Sequence, residues 1–241
     1  MPLRLDPRTR TRTAAPLLLL LAGALAACAT RAPRAPASTV ADGIHWFRNA
    51  AEQKAVYVQT YQAALRAARE LSAGKTPGSW AVVMDVDETI LDNSEFQKRL
   101  GTRPFDPKDW SAWVDEGQAT LLPGAKTFID GVNELQGRVA LVTNRAEAEC
   151  PATEDNLRRV GIRYALILCA RGGNGDKNPR FRRVAEGTAG QPPLEILLWV
   201  GDNIQDFPAL TQATADFSQF GTRYFALPNP MYGSWMSVPP R

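Results

Sequence analysis

The amino-acid sequence predicts an α/β fold built on a doubly wound, Rossmann-like parallel sheet. Short apolar runs alternate along the chain with segments of helical periodicity, an order typical of successive strand–helix–strand units. Several apolar runs end in polar residues, and open sheets of this type bind ligands at the carboxyl ends of their strands. The chain of 241 residues is long enough for one such core and a small accessory region.

The elements follow in order from a predicted N-terminal helix. Between residues 43 and 73 apolar side chains recur at spacings of three and four without proline, and Gly74 and Pro77 end this pattern. Strands are predicted at residues 80–86, 137–143, 164–168, 196–200 and 224–227, and the helices between them at 124–136, 151–160 and 178–188. The sheet core is therefore assigned to residues 80–91 and 123–230, and a small, mainly helical cap to residues 41–79 and 92–122.

The first 27 residues are typical of an export signal. Four arginines precede a short apolar run, and Leu25–Cys28 resembles the bacterial lipobox, whose cysteine is lipidated. An ordinary signal peptide with a chance cysteine is the alternative. The lipobox predicts a signal peptide (1–27), a lipid anchor on Cys28, a tether (28–40) and one domain (41–241). Because Ala29 rather than aspartate follows Cys28, we expect anchoring to the outer membrane, facing the periplasm.

The charge distribution argues against a nucleic-acid partner. Residues 1–27 contain four arginines and one aspartate, a net charge of +3, which equals the net charge of the whole chain. The remaining residues are formally neutral, so no basic face for a nucleic-acid polymer is expected. Contact with a membrane is expected through the lipid anchor only.

Two cysteines remain beyond Cys28. Cys150 and Cys169 both lie after predicted strands, and an exported protein can keep a disulfide, so a bridge and two buried free thiols are both open. Together with the single histidine, the cysteines are too few for a structural zinc site.

The first strand ends in a pair of carboxylates. Asp85 and Asp87 stand two residues apart where the apolar run 80–86 gives way to a polar loop. Two neighbouring carboxylates repel each other unless a cation lies between them. Oxygen ligands favour a hard metal, so the pair predicts Mg²⁺. A carboxylate beside Mg²⁺ can also attack phosphorus and form an aspartyl-phosphate.

Three further strand ends carry polar groups. Thr143, Asn144 and Arg145 stand at the end of the second strand, a glycine-rich loop leads from the third into Lys177, and Gly201–Phe207 follows the fourth. Each feature alone is typical of a cap, a solvated lysine or a turn. Parallel strands bring their carboxyl ends to one edge of the sheet, so together these residues predict a single site.

This set of motifs resembles the haloacid dehalogenase (HAD) superfamily, and more closely its class C acid phosphatases, including outer-membrane lipoprotein 5′-nucleotidases. The resemblance covers about residues 40–236. It is carried by residues 85–94, 108–114, 122–125, 142–145, 201–207 and 227–235.

The resemblance implies a role for each residue of the site. Asp85 would be the nucleophile, and Asp87 would protonate the leaving oxygen and then deprotonate water. Thr143 and Lys177 would hold the phosphoryl oxygens, although Arg180 or Arg182 could take the role of Lys177, because the loop lacks the lysine-rich run of the relatives. Mg²⁺ would be bound by Asp85, the backbone carbonyl of Asp87, Asp202 and Asp206, the last in the opening turn of a helix. Asn144 and Arg145 are expected to bind substrate.

Two aromatic residues match positions that bind the organic part of the substrate in these relatives. Trp110 and Tyr232 would stack on a nucleobase or an aryl group, with plain core packing as the alternative. Tyr232 favours the stacking role because Pro-Asn-Pro-Met-Tyr-Gly is typical of a loop. Trp113 and Trp235 are expected in the core.

The resemblance therefore implies a Mg²⁺-dependent acid phosphatase that hydrolyses phosphomonoesters, including 5′-nucleotides and aryl phosphates. It also allows a homodimer. The alternatives are a phosphotransferase of the same fold and a non-catalytic surface lipoprotein that binds a ligand or haem. The only histidine is His45, far from the strand ends, which argues against histidine-dependent phosphatases and gives little support to a haem ligand.

Overall fold

The computed structural model describes residues 41–173 and 175–240, and within them it confirms the α/β fold. The expected signal peptide, the lipidated Cys28 and the tether lie outside the described residues. Five strands form a parallel sheet in the order β5-β4-β1-β6-β7. Their bounds are β1 Trp80–Met84, β4 Arg138–Ala146, β5 Leu166–Ala170, β6 Glu195–Gly201 and β7 Tyr224–Ala226, while a separate antiparallel pair is formed by β2 Leu91–Asp92 and β3 Thr120–Leu121.

The central strand fixes the position of the site. β1 pairs in parallel with β4 on one side and β6 on the other, with Met84 opposite both Leu141 and Val200. All five residues of β1 are buried, as expected for a strand covered on both faces. This register brings the segments after β1, β4 and β6 to the same edge of the sheet.

Seven helices surround the two sheets in the described part of the chain. They are α1 Asp42–Asn49, α2 Ala51–Leu71, α3 Ser94–Leu100, α4 Pro107–Glu116, α5 Ala125–Glu134, α6 Cys150–Arg159 and α7 Asn178–Glu186. The predicted N-terminal helix is two helices, because Ala50 adopts an extended backbone between α1 and α2. None of the described helices is both long enough and apolar enough to cross a membrane.

Helix α2 corrects the expected extent of the cap. Its buried residues Tyr57, Tyr61, Ala64 and Ala68 pack in the main core with β1, and α2 also contacts α5. Segment 41–79 therefore does not belong wholly to the cap: α2 covers one face of the sheet, while α1 contacts α3 of the insert. A helix that buries a stripe of aromatic and small side chains in this way is held by tertiary packing.

The insert between β2 and β3 contains α3 and α4. Asp106 caps α4 by accepting the backbone N–H of Lys108 at 2.8 Å, and Pro107 occupies the first turn. Gly117 ends the helix in a left-handed conformation. Trp110 on α4 packs edge-to-face against Phe96 on α3, with ring centroids 5.2 Å apart.

A disulfide joins the two cysteines whose state the sequence left open. Cys150 begins α6, Cys169 lies in β5, and their Cα atoms are 6.2 Å apart. The bridge joins α6 to β5, the strand that neighbours β4, near the end of β4 that contains Arg145.

Candidate active site

Three carboxylates from different segments meet at the carboxyl edge of the sheet. Asp85 follows β1, Asp202 follows β6, and Asp206 closes a 3₁₀ turn over Ile204–Asp206. Each offers one carboxylate oxygen, and these atoms lie within 4.8 Å of one another. We call these three residues the carboxylate cluster. Asp206 was expected in the opening turn of a helix, but the structure has only this single 3₁₀ turn.

Backbone geometry explains how Asp206 comes so close. A Cβ atom at Gly201 would lie 2.3 Å from the Asp206 carboxyl group, so any side chain at that position would push Asp206 away. Asp206 also accepts the backbone N–H of Asn203 at 2.8 Å, while the Asn203 side chain accepts the N–H of Gln205. This exchange of hydrogen bonds fixes the turn in the manner of a capping box.

The carboxylate cluster fits a hard divalent cation. Burial raises the pKa of Asp85 to about 7; Lys177 opposes this shift, and Asp206 and Asp87 add to it. Burial, then Asp206 and Asp85, also raise the pKa of Asp202 well above its ordinary value. Closely spaced buried anions of this kind are stabilised by a metal ion, and three carboxylates supply the oxygen ligands that Mg²⁺ requires.

Lys177 lies inside this cluster. Its Nζ donates to Asp206 Oδ1 at 2.6 Å and to Asp85 Oδ1, and its side chain is 3% exposed. Burial lowers the pKa of Lys177, but Asp206 and Asp85 outweigh it and raise the pKa, so the ammonium keeps its charge. Arg180 instead donates to the carbonyl of Thr143 and to Asn144 Oδ1, and Arg182 is exposed. The structure thus places Lys177 next to the expected nucleophile.

Asp87 lies apart from the carboxylate cluster, although it is only two residues from Asp85. Its carboxylate forms an ion pair with Arg145 at 2.7 Å and accepts the amide of Asn93 at 2.8 Å. The Asp87 side chain is 18% exposed, whereas that of Arg145 is 1% exposed. We call Asp87, Asn93 and Arg145 the Arg145 network. Arg145 was expected to bind substrate, but its guanidinium contacts Asp87. Because the Asp87 carboxylate is occupied by this ion pair, the expected contribution of Asp87 to a metal site is limited to its backbone carbonyl.

The remaining candidate residues near the end of β4 lie at the same edge. Thr143 is fully buried, and its Oγ1 accepts the backbone N–H of Arg145 at 3.2 Å. Asn144 is exposed and accepts the guanidinium of Arg180 at 2.6 Å. Their roles toward phosphate and substrate stay predictions.

The two aromatic candidates are connected to different parts of the site. The guanidinium of Arg145 lies over the ring of Trp110, 5.3 Å from its centroid. Tyr232 follows Asn229, which donates to Asp202 Oδ2 at 2.8 Å and accepts the N–H of Tyr232 at 3.4 Å. Trp113 is buried in the core as expected, but the expectation for Trp235 was wrong, since that side chain is 44% exposed.

Several residues that support the site were not identified from the sequence. Glu88 is buried with a positive φ of 51°, and its Oε1 accepts the N–H of Asn93 at 2.7 Å. The hydroxyls of Tyr57 and Tyr61 on α2 donate to the carbonyls of Glu88 and Thr89, both at 2.5 Å. Helix α2 thereby holds the loop after the nucleophile. The sequence did offer one signal for Asn93, because this amide stands in the Asp-Asn-Ser motif of residues 92–94.

Carboxylates at the ends of β1 and β6, with a lysine beside them, are the arrangement that the resemblance to HAD phosphatases predicts. A family model described as HAD superfamily, subfamily IIIB (Acid phosphatase), matches residues 23–235. The chain belongs to this family.

Solved structures agree with the family assignment. The class C acid phosphatase from Bacillus anthracis is 31% identical, with a TM-score of 0.71 over 80% of this chain and 84% of that one. A second structure of that enzyme, with tungstate bound, is 28% identical with a TM-score of 0.70. Acid phosphatase 1 from Solanum lycopersicum is 29% identical over 154 residues, 62% of this chain. The chain spans 57% of the length of that curated relative.

Proposed function

We propose that this protein is a Mg²⁺-dependent acid phosphatase that hydrolyses phosphomonoesters, including 5′-nucleotides and aryl phosphates, through an aspartyl-phosphate. The observation that carries the proposal is the position of Asp85, which is buried against Lys177 and within 4.8 Å of two further carboxylates. A lone buried carboxylate would be neutral, but here a lysine and a cation site favour the anion that attacks phosphorus.

Phosphoryl transfer in this site needs charge neutralisation. Asp85, Asp202, Asp206 and the backbone carbonyl of Asp87 would hold Mg²⁺, which supplies Lewis-acid shielding between the nucleophile and the phosphoryl oxygens. Lys177 adds a fixed positive charge, and Thr143 adds a hydroxyl at the end of the neighbouring strand. Tungstate, bound in the Bacillus anthracis relative, is a tetrahedral oxyanion like phosphate, which supports a phosphoryl-binding site.

Asp87 is the group that moves the proton. It sits two residues beyond the nucleophile, is partly exposed, and is held away from the carboxylate cluster by Arg145. In the first step it protonates the leaving oxygen, and in the second it accepts a proton from the water that attacks the aspartyl-phosphate.

The preference for nucleotides and aryl phosphates rests on the two aromatic candidates. Trp110 is half-buried above Arg145, and Tyr232 is half-buried in a loop fastened to Asp202 by Asn229. Base stacking on such rings tolerates many bases, which suits a broad specificity.

The experiment that tests this proposal is phosphate release by purified residues 29–241. Nucleoside 5′-monophosphates, phenyl phosphate and a small alkyl phosphate are compared with Mg²⁺ and with EDTA, between about pH 4 and 8. Mg²⁺-dependent release of phosphate is expected. Transfer of the phosphoryl group to an added alcohol in place of water would instead indicate a phosphotransferase, and no release from a folded, Mg²⁺-loaded protein would favour a binding lipoprotein.

We further propose a lipid anchor on Cys28 in the outer membrane, facing the periplasm. The lipobox-like Leu25–Cys28 supports it, as does the Cys150–Cys169 disulfide, which is typical of an oxidising compartment. Replacement of Cys28 by alanine is expected to move the protein from the membrane fraction to the soluble periplasmic fraction. Membrane retention of that variant would contradict the anchor.

A further inference from the structure

We propose that Arg145 is a positioning residue. Together with Asn93 it holds Asp87 by one carboxylate oxygen, Oδ1, and leaves Oδ2 to carry the proton to and from the substrate. This inference deepens the proposed function and rests on it. The sequence predicts that Arg145 binds substrate, whereas in this proposal it orients Asp87.

The two oxygens of Asp87 have unequal surroundings. Oδ1 accepts Arg145 Nη2 at 2.7 Å, Arg145 Nε at 3.0 Å and Asn93 Nδ2 at 2.8 Å. Among the described residues Oδ2 accepts only Arg145 Nε, at 3.3 Å. An oxygen that already accepts three donors has no lone pair to spare for a further proton. The less engaged Oδ2 is therefore the proton-carrying atom.

Arg145 is itself fixed by its surroundings. Its Nη1 donates to Thr153 Oγ1 at 3.1 Å, its Nη2 donates to Asn93 Oδ1 at 3.2 Å, and its guanidinium lies over the ring of Trp110. A planar guanidinium with partners on several edges has little rotational freedom. The orientation of the Asp87 carboxylate is thus set by a group that cannot turn.

Asn93 is also held in place by hydrogen bonds, through both its side chain and its backbone. Its Oδ1 accepts Trp113 Nε1 at 2.8 Å, which orients the amide so that Nδ2 points to Asp87. Its backbone N–H donates to Glu88 Oε1 at 2.7 Å. The Arg145 network therefore connects the loop after β1, the insert and the end of β4 around one oxygen atom.

The orientation of the Asp87 carboxylate determines whether its proton reaches the leaving oxygen in the first step. A bond forms between an Asp85 oxygen and phosphorus, the bond from phosphorus to the leaving oxygen breaks, and the leaving oxygen takes the proton from Asp87 Oδ2. In the second step water oxygen bonds to phosphorus, the Asp85 oxygen leaves, and the water proton passes to Oδ2. A misplacement of the acid by about 1 Å can cost roughly 100-fold in rate.

The test separates positioning from a merely structural role through the leaving group. p-Nitrophenyl phosphate and phenyl phosphate have nearly the same shape, but the p-nitrophenolate ion leaves with little help from an acid. Replacement of Arg145 by methionine (R145M) is expected to lower kcat/KM for phenyl phosphate about tenfold more than for p-nitrophenyl phosphate. The Arg145→Lys variant keeps the positive charge but loses the planar guanidinium with its several donors. The same bias, a larger loss for phenyl phosphate, is therefore expected. An equal loss for both esters in either folded variant would overturn the proposal.

Two controls sharpen the measurement. Arg180→Met removes another buried arginine at the same edge of the sheet, one that contacts Thr143 and Asn144, and should lower both rates by a similar factor. Asp87→Asn should show the bias by itself, and Arg145→Met added to it should create no further bias, because both changes remove one interaction. A second, independent bias in the double variant would contradict the role of Arg145 through Asp87.

The outcomes also separate this inference from the proposed function. If the parent protein hydrolyses neither ester, the proposed function fails. If the parent hydrolyses both and the ratio of their rates is unchanged in folded Arg145 variants, as judged by circular dichroism and thermal melting, only the positioning role fails.

Discussion

Asp85 and Asp87 stand two residues apart on one loop, but their surroundings are opposite. Asp85 is in the carboxylate cluster, where burial raises its pKa to about 7 and Lys177 donates a hydrogen bond to it. Asp87 is in the Arg145 network, where a guanidinium and an amide donate to its Oδ1. The first environment has three carboxylates around one lysine and requires a further cation, whereas the second pairs one carboxylate with one arginine. One short motif can therefore supply both a nucleophile and a proton carrier, because the neighbouring strand ends differ.

The nucleophile is the residue whose loss should lower the rate most. Asp85→Asn removes the attacking oxygen and should lower turnover by about 10⁴-fold or more. Because the change also removes a buried charge, the melting temperature in EDTA should not fall. Phosphate release from p-nitrophenyl phosphate measures the first effect, and Asp92→Asn, in β2, serves as the control. A rate near that of the parent protein would exclude Asp85 as the nucleophile.

The second prediction concerns the stability of the metal-free protein as a function of pH. The pKa of Asp85 is about 7 in the folded state and about 4 in an unfolded chain, so between these values the folded state holds a proton that the unfolded state has lost. Stability in EDTA should therefore fall as pH rises from about 4 to 7, and the shift of Asp202 acts in the same direction. Lys177, whose pKa is raised, stays charged in both states across this window.

Urea unfolding at pH 5 and pH 7.5 measures this effect. In EDTA the loss should be on the order of a few kcal/mol, and Mg²⁺ should reduce it because the cation replaces the protons. In Asp85→Asn the slope should be smaller. A metal-free protein whose stability rises over this range would show that the carboxylate cluster is stabilised without a cation.

Much of this comparison was accessible from the sequence, and the reason is the sheet. Apolar runs 80–86 and 196–200 mark parallel strands, and parallel strands deliver Asp85 and Asp202 to one edge wherever the helices lie. The Arg145 network was not accessible in the same way. Arg145 and Asp87 are 58 residues apart, and whether the guanidinium points toward a ligand or a neighbouring carboxylate depends on side-chain packing around Trp110 and Thr153.

The position of the N-terminal helix was also beyond the sequence. Tyr57 and Tyr61 have the spacing of a helix face, but that spacing is the same for a helix in a cap and a helix on a sheet. Only the structure shows their hydroxyls on the carbonyls of Glu88 and Thr89. The prediction of Trp235 as a core residue was wrong. Its Nε1 donates to the carbonyls of Asn229 and Tyr232 and so closes a surface loop.

The third prediction concerns a hydrogen bond at the edge of the carboxylate cluster. Asn229 donates to Asp202 Oδ2 and so orients an expected metal ligand. Asn229→Ala should weaken the apparent affinity for Mg²⁺ by about 10- to 100-fold, because partners of metal ligands commonly contribute that much. Titration of activity with Mg²⁺ and calorimetry measure it, with Ser234→Ala as a nearby control. Unchanged Mg²⁺ affinity would show that Asp202 needs no such support.

The smallest effects distinguish the two aromatic residues, each of which is connected to a different carboxylate. Tyr232 is connected to Asp202 through Asn229, and Trp110 to Asp87 through Arg145. Tyr232→Ala should raise KM for nucleoside monophosphates about tenfold and leave KM for a small alkyl phosphate nearly unchanged, since stacking contributes about 1–3 kcal/mol per base. Met236→Ala, exposed in the same C-terminal segment, is the control.

Trp110→Ala should have a different effect from Tyr232→Ala, because Trp110 contacts the Arg145 network and Tyr232 is connected to the carboxylate cluster. Loss of the Trp110 ring removes a stacking surface and also the group on which the Arg145 guanidinium rests. We therefore expect a higher KM for nucleotides together with a modest loss in kcat/KM for phenyl phosphate relative to p-nitrophenyl phosphate. Tyr232→Ala should show no such leaving-group dependence. The same bias in both variants would mean that the aromatic residues act on one shared element, and the separation between Asp85 and Asp87 would then not extend to substrate binding.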